Sequence, residues 1–496
     1  MESNILAWSL FLTYVLVTFA LAFIGMKKTK GFKSFALGGD MGPVLVGITL
    51  AASIASSATF VINPGFVYTH GLSGFIHFAI ASPLGFLTAL IVFSKGFREM
   101  GLKSGALTLP DWVKRRYNSP GLGSYFAILN LFLSITFVVL IVKGSALVMQ
   151  ATLGLEYFWS LVVIVGVVFS YIMIGGTYAH AYTNSLQGVM MVGIALLMIF
   201  SGAEHFSGGL GGFMAKLSAI DPNLTKAFNP ESALFSNFWN VFLCSFIVGL
   251  GIVCQPHILL KALYLRSDKD LKPYLIVGSL VSIVFAGILI VGFYARIEMP
   301  VLAGQDAIVA KYISGAFSSF IGIFVSIALL AAGMSTLDGI LVGASSIAAN
   351  DIFLGPVGEK LFPKWSRADR EEKALSASRW ILLFMGVGAF LLALDPPKLV
   401  GLFAQAGIYG LISASIIPFG LGILLRKYEL SKTAVITASV VGPLIHFVIY
   451  LYYTQVLGEV LNPAVSASIG IAMALLSFTL VQLSTVKGLI PLKQQN

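Results

Sequence analysis

The sequence predicts an all-α integral membrane protein, on three observations. Thirteen apolar stretches, each long enough to cross a bilayer, fill most of the 496 residues. The basic residues gather in alternate connections between them, and two of the stretches are interrupted by glycine, proline and hydroxyl residues. A helix rises about 1.5 Å per residue, so roughly 20 apolar residues cross the hydrocarbon core. Charged residues make up only 10% of the chain, and a mean hydropathy of +0.93 suits lipid as solvent. No stretch remains for a soluble domain.

The expected spans are 5–26, 44–62, 72–93, 122–151, 155–175, 182–202, 234–264, 274–296, 318–349, 376–393, 399–425, 433–453 and 463–484. The first is not a cleaved signal peptide: its basic cluster, Lys27, Lys28, Lys30 and Lys33, follows the apolar run instead of preceding it. The amino terminus is therefore expected outside and the carboxyl terminus in the cytoplasm. In that orientation the cytoplasmic segments hold twenty-five of the 31 basic residues, as the positive-inside rule requires. They include Lys95 to Arg116, the group Lys261, Arg266, Lys269 and Lys272, and finally Lys487 and Lys493; Lys216, Lys226, Arg296, Lys311 and Lys398 fall outside. The net charge of +10 is thus a topological signal, and nucleic acid is not an expected partner. Cys244 and Cys254 lie ten residues apart on one predicted helix, which disfavours a disulfide and offers no metal-binding spacing.

Interrupted spans are informative because backbone in a membrane is left unpaired only where protein or a water-filled cavity satisfies it. The second span runs Ala51-Ala52-Ser53-Ile54-Ala55-Ser56-Ser57-Ala58-Thr59, then Asn63-Pro64-Gly65; the seventh contains Gly249-Leu250-Gly251 and Gln255-Pro256-His257. They lie five spans apart, and an odd offset gives them opposite directions across the membrane. That is the expected mark of two inverted five-helix repeats, 44–202 and 234–425, with ligands held where the broken helices meet. An extra helix, 5–26, precedes the repeats and two helices, 433–484, follow them. The competing reading is helix packing alone, since Gly and Pro are frequent in membrane helices.

Several blocks are similar to the sodium/solute symporter family, which includes proline, pantothenate, sialic acid and sugar symporters. They are Gly175-Gly176, Ala106-Leu107-Thr108-Leu109-Pro110-Asp111, Gln255-Pro256-His257 and Ala331-Ala332-Gly333-Met334-Ser335-Thr336, and the likeness covers nearly the whole chain. The resemblance implies a LeuT-type fold and a sodium site of backbone carbonyls and hydroxyls at Ala52, Ala55, Ala332, Ser335 and Thr336. Sodium is a hard cation that favours several oxygen ligands, which an unwound helix and a Ser-Thr pair supply. Otherwise such a pair bonds its own helix's carbonyls.

Relatives carry an aspartate in a Thr-Asp-x-x-Gln pattern where this chain has Thr183-Asn184-Ser185-Leu186-Gln187; instead, Asp338 follows Ser335 by three residues, on the same helix face. Asp338 is expected to approach Asn184 across a hydrated inner cavity, serving a second cation or a release path, or else to face cytoplasmic water. For the solute, the resemblance points to Ser56 and Thr59 on the broken helix and to Phe137. Val248 and Ile252 replace the aromatic pair expected of a proline carrier, and Gln255 either binds solute or caps broken backbone. Lys143, taken as the one basic residue inside a span, either receives a substrate carboxylate or snorkels to the outer surface. His77, His257 and His446 are read as imidazoles satisfied by backbone.

No catalytic triad, phosphate loop or metal cluster is visible in the sequence, so an enzyme is not expected. The expected function is sodium-coupled import of a small organic solute across the cell membrane by alternating access. The segment Ser218 to Pro222 resembles pantothenate carriers and favours an organic acid such as pantothenate or a monocarboxylate, with a neutral amino acid next. The alternatives are proton coupling through Asp338 and a membrane sensory module on the same fold; no signalling domain follows residue 484.

Overall fold

The computed structural model describes residues 2–300, 304–395 and 399–485, so Lys398, Lys487 and Lys493 of the charge pattern lie outside the described residues. Among the described residues, ten helices are long and apolar enough to cross a membrane singly, and two further helix pairs are so only together. Those pairs are Pro43–Ile54 with Ala58–His70, bent by 55°, and Trp239–Ile252 with Pro256–Leu263, bent by 63°. They are the two interrupted spans of the sequence. The helix Tyr157–Phe200 holds 44 residues, about 66 Å if straight, which exceeds the thickness of a bilayer. It is broken at Gly176, with φ 58° and ψ −146°, where the sequence separates spans 155–175 and 182–202. The helix counted once gives twelve spans, counted twice thirteen. Gly176 is required there: a Cβ would lie 2.4 Å from Phe35 Cδ2, and positive φ is costly for any L side chain.

The break in the second span falls earlier than its prolyl signal suggests. The helix Pro43–Ile54 ends where Ala55 turns extended, at φ −83° and ψ 108°. Asn63-Pro64-Gly65 does not interrupt the span: it lies inside the helix Ala58–His70, where the π-turn Ala58–Ile62, closed by Asn63 N to Ala58 O, continues into Asn63–His70. The start of the second half is served by side chains: Ser56 Oγ accepts from Ala58 N at 3.0 Å and Thr59 Oγ1 from Ser56 N at 3.4 Å.

Burial sorts the helices into layers. The most apolar stretch of Val400–Leu424 is 89% buried and that of Ser319–Phe353 78%, against 28% for Ile5–Met26. The first two are central, and the amino-terminal helix turns most of its surface outward. Ser319–Ile347 packs on Tyr157–Phe200, Pro120–Leu153, Pro43–Ile54 and Pro256–Leu259. Lipid tails are as apolar as leucine, so such contacts depend on close approach by small residues. At Gly333 a Cβ would lie 2.0 Å from Ser145 Oγ of Pro120–Leu153. Cys244 starts the helix Cys244–Ile252, whereas Cys254 lies in the break beyond it; both are free and buried.

Candidate functional site

Breaking a helix frees the carbonyls that the next turn would have used, and here they point at hydroxyls. Ser335 Oγ lies 2.8 Å from Ala52 O and 2.8 Å from Ala332 O of its own helix. Thr336 Oγ1 lies 3.4 Å from Ala52 O and 3.3 Å from Ala55 O. Ser335 and Thr336 are completely buried. The five atoms expected from the sequence therefore converge from two packed helices. Hard cations bind oxygen at about 2.3–2.6 Å, which sets neighbouring ligand oxygens about 3.4 Å apart. The Thr336 contacts already have that spacing, and the Ser335 contacts would lengthen to admit an ion.

Beside this cluster, the two broken helices enclose a cavity of about 180 Å³, room for on the order of ten waters. Ser56, Thr59, Phe137, Ile252 and Gln255 line it, as does Ala55, whose carbonyl belongs to the oxygen cluster. Gln405 and Tyr409 of Val400–Leu424 join them. The sequence reading missed both, although Gln405 is the one amide side chain in that apolar helix, and polar groups inside membranes are usually functional.

Two expected solute residues lie elsewhere. Val248 is fully buried in the packed core and does not line the cavity. Lys143 neither lines the cavity nor reaches for the surface: its Nζ is 3.0 Å from Asp306 Oδ2, with both side chains 13% exposed. A nearby carboxylate, invisible in the local sequence, satisfies the ammonium. Of the imidazoles, His77 Nδ1 meets Asn240 O at 3.0 Å and His446 Nε2 meets Ala406 O at 2.8 Å, whereas His257 lines the cavity.

Asp338 is also placed differently from expectation. It faces neither cytoplasmic water nor Asn184: it is completely buried and accepts from the hydroxyls of Tyr171 and, at 3.1 Å, Thr183. Asn184 Nδ2 instead donates to Ser53 Oγ at 2.9 Å, and neither Asp338 nor Asn184 lines the central cavity. Lys261, at the end of the expected span 234–264 but counted with the cytoplasmic basic residues, is completely buried as well; its Nζ lies 2.8 Å from His180 Nε2. Lys143 is thus not the sole basic residue within a span. Away from the cavity, Glu204, His205 and Glu298 bring one donor atom each within 4.8 Å of one another, a grouping distant in sequence and absent from the expectations above.

The comparisons with known proteins agree with this architecture. A model of the sodium:solute symporter family matches residues 35–442. The sodium/pantothenate symporter of Haemophilus influenzae is 29% identical over 481 residues, covering 90% of this chain and 95% of the relative. That of Escherichia coli is 26% identical, covering 90% of each. A high-affinity proline transporter of Bacillus subtilis is 27% identical over 67% of this chain and 71% of its own. A solved Na+-coupled sialic acid symporter, in a substrate-bound outward-open state, superposes with a TM-score of 0.75 over 98% of this chain and 99% of its own; at 19% identity it establishes the shared fold. The chain is a multi-pass membrane protein belonging to the sodium:solute symporter family.

Proposed function

We propose that this protein imports a small organic acid together with sodium across the cell membrane by alternating access, with its amino terminus outside and its carboxyl terminus in the cytoplasm. The observation that carries this reading is the double role of Ala55: its carbonyl belongs to the oxygen cluster with Ser335 and Thr336, and the same residue lines the cavity. Sodium bound by Ala52, Ala55, Ala332, Ser335 and Thr336 ties the broken helix to Ser319–Ile347. It thereby fixes the orientation of Ser56 and Thr59, which face the solute. An ion that binds the outward-open state better than the others shifts the population toward it, and its release on the inner side drives the cycle. The core is read as two inverted repeats, 44–202 and 234–425, meeting at the broken helices.

The cavity's hydroxyls and amides, Ser56, Thr59, Gln255 and Gln405, suit a small polar solute. The lining contains no Asp, Glu, Lys or Arg, so the nearest positive charge for a carboxylate is the bound sodium itself. Pantothenate or a monocarboxylate is the proposed class, in keeping with the pantothenate-transporting relatives. The same uncharged lining supports a neutral amino acid as a second reading.

Uptake into proteoliposomes of labelled pantothenate, monocarboxylates and neutral amino acids, at fixed pH with and without a sodium gradient, tests the proposal. Accumulation of one solute only with inward sodium is expected. Uptake that ignores sodium and follows a proton gradient would replace it with proton coupling through Asp338.

A further inference from the structure

A charge buried inside a membrane protein is expensive and persists only when something balances it. Asp338 sits two residues beyond Thr336 and is fully buried. Its oxygens accept from Tyr171 and Thr183, but hydroxyls bring no positive charge. The charge comes from the second broken helix. Lys261, in the turn Leu260–Leu263, is also fully buried. Its ammonium donates to His180 Nε2 at 2.8 Å and stands 5.8 Å from the centre of the Tyr264 ring.

His180 is the spacer between the two charges. It lies one turn before Thr183 on the same helix, with Thr183 Oγ1 3.2 Å from His180 O. Its ring packs against the residue after Asp338: a Cβ on Gly339 would sit 3.3 Å from His180 Cε1. The ring therefore meets the Lys261 ammonium on one side and the residue next to Asp338 on the other. Three elements, Leu260–Leu263, Tyr157–Phe200 and Ser319–Ile347, are thereby tied together.

We infer that Lys261 is the resident counter-cation of Asp338, so that the protein balances this carboxylate itself and binds one sodium ion per chain, not two. Without Lys261, the carboxylate so close to Ser335 and Thr336 would recruit a second mobile cation. With it, the local charge is already neutral, and the carbonyl and hydroxyl cluster is the single ion site. The inference rests on the sodium-coupled reading and specifies its stoichiometry.

The test uses sodium alone as probe: equilibrium binding of radioactive sodium to the purified full-length protein, with thermal midpoints measured alongside. Wild type is expected to bind one ion per chain with a Hill coefficient near one. Lys261→Met is expected to bind two, or to show a Hill coefficient approaching two, while Asp338→Asn and the double variant Lys261→Met/Asp338→Asn stay at one. The double variant is also expected to melt above Lys261→Met, because removing both charges leaves nothing unbalanced. Two ions per wild-type chain would overturn the inference and leave sodium coupling standing, whereas no sodium binding by wild type would overturn the sodium-coupled reading itself. If Lys261→Met does not fold, the wild-type count and the double variant decide. A double variant no more stable than predicted from independent losses would also refute the pairing.

Discussion

Replacing Ser335 and Thr336 together by alanine strikes the proposed ion site directly. They supply two of its five oxygens, and hydrogen bonds to charged groups contribute about 1.5–3 kcal/mol each. Taking a hydroxyl-to-ion contact as comparable, the pair accounts for about 3–6 kcal/mol, or roughly two to four orders of magnitude in sodium affinity. The single variants should differ. Thr336→Ala removes the hydroxyl placed 3.4 Å from Ala52 O and 3.3 Å from Ala55 O, whereas Ser335→Ala leaves Ala52 O its Thr336 neighbour. Both losses also act without sodium, because a buried carbonyl stripped of its donor costs about 1–3 kcal/mol. The assay is therefore sodium half-saturation of uptake and sodium-dependent thermal shift in detergent, each referred to the sodium-free midpoint of the same variant. Ligand-linked stabilisation grows with the ratio of ion concentration to dissociation constant, so the shift should vanish at concentrations that saturate wild type. A folded double variant with sodium half-saturation within about threefold of wild type, less than 1 kcal/mol, would remove these residues from the site.

Other residues carry separate expectations. Gln405→Leu keeps the volume of the cavity wall but removes its amide, so solute half-saturation should rise by roughly tenfold, about one hydrogen bond's worth, with sodium binding in the absence of solute unchanged; unchanged solute affinity would exclude contact. Lys143→Met leaves Asp306 without its ion-pair partner at 13% exposure. Breaking a buried pair typically costs about 3–5 kcal/mol, less where water reaches it, so the thermal midpoint should fall and Lys143→Gln/Asp306→Asn should recover most of it. A Lys143→Met protein of normal stability but weakened solute affinity would return Lys143 to the solute. Gly176→Ala puts a side chain at φ 58° and ψ −146°, a conformation costing about 1–3 kcal/mol, and drives its Cβ into Phe35; Phe35→Leu should relieve only the second part. A normal thermal midpoint in Gly176→Ala would show that the break can relax.

The sequence alone determined the membrane class and the two interrupted spans, whereas the partners of the oxygen cluster came from the family resemblance. The first two are legible because each depends on composition or on a local break: a run of about 20 apolar residues has one stable environment, whereas a Ser-Thr pair by itself reads as bonding its own helix. Five of the seven expected solute residues line the cavity: Ser56, Thr59, Ile252 and Gln255 sit on or beside the interruptions, and Phe137, on the continuous helix Pro120–Leu153, came from the resemblance. What failed depended on partners far away along the chain. Lys143 gave no sign of Asp306, 163 residues on, and the charge pattern assigned Lys261 to cytoplasmic water because basic residues usually belong there. Only the tertiary structure brought Lys261, His180 and Asp338 together, and only helix packing decided which face of Cys244–Ile252 meets the cavity, burying Val248 and presenting Ile252. A buried charge is specified by the group that balances it, and that group is chosen by the fold.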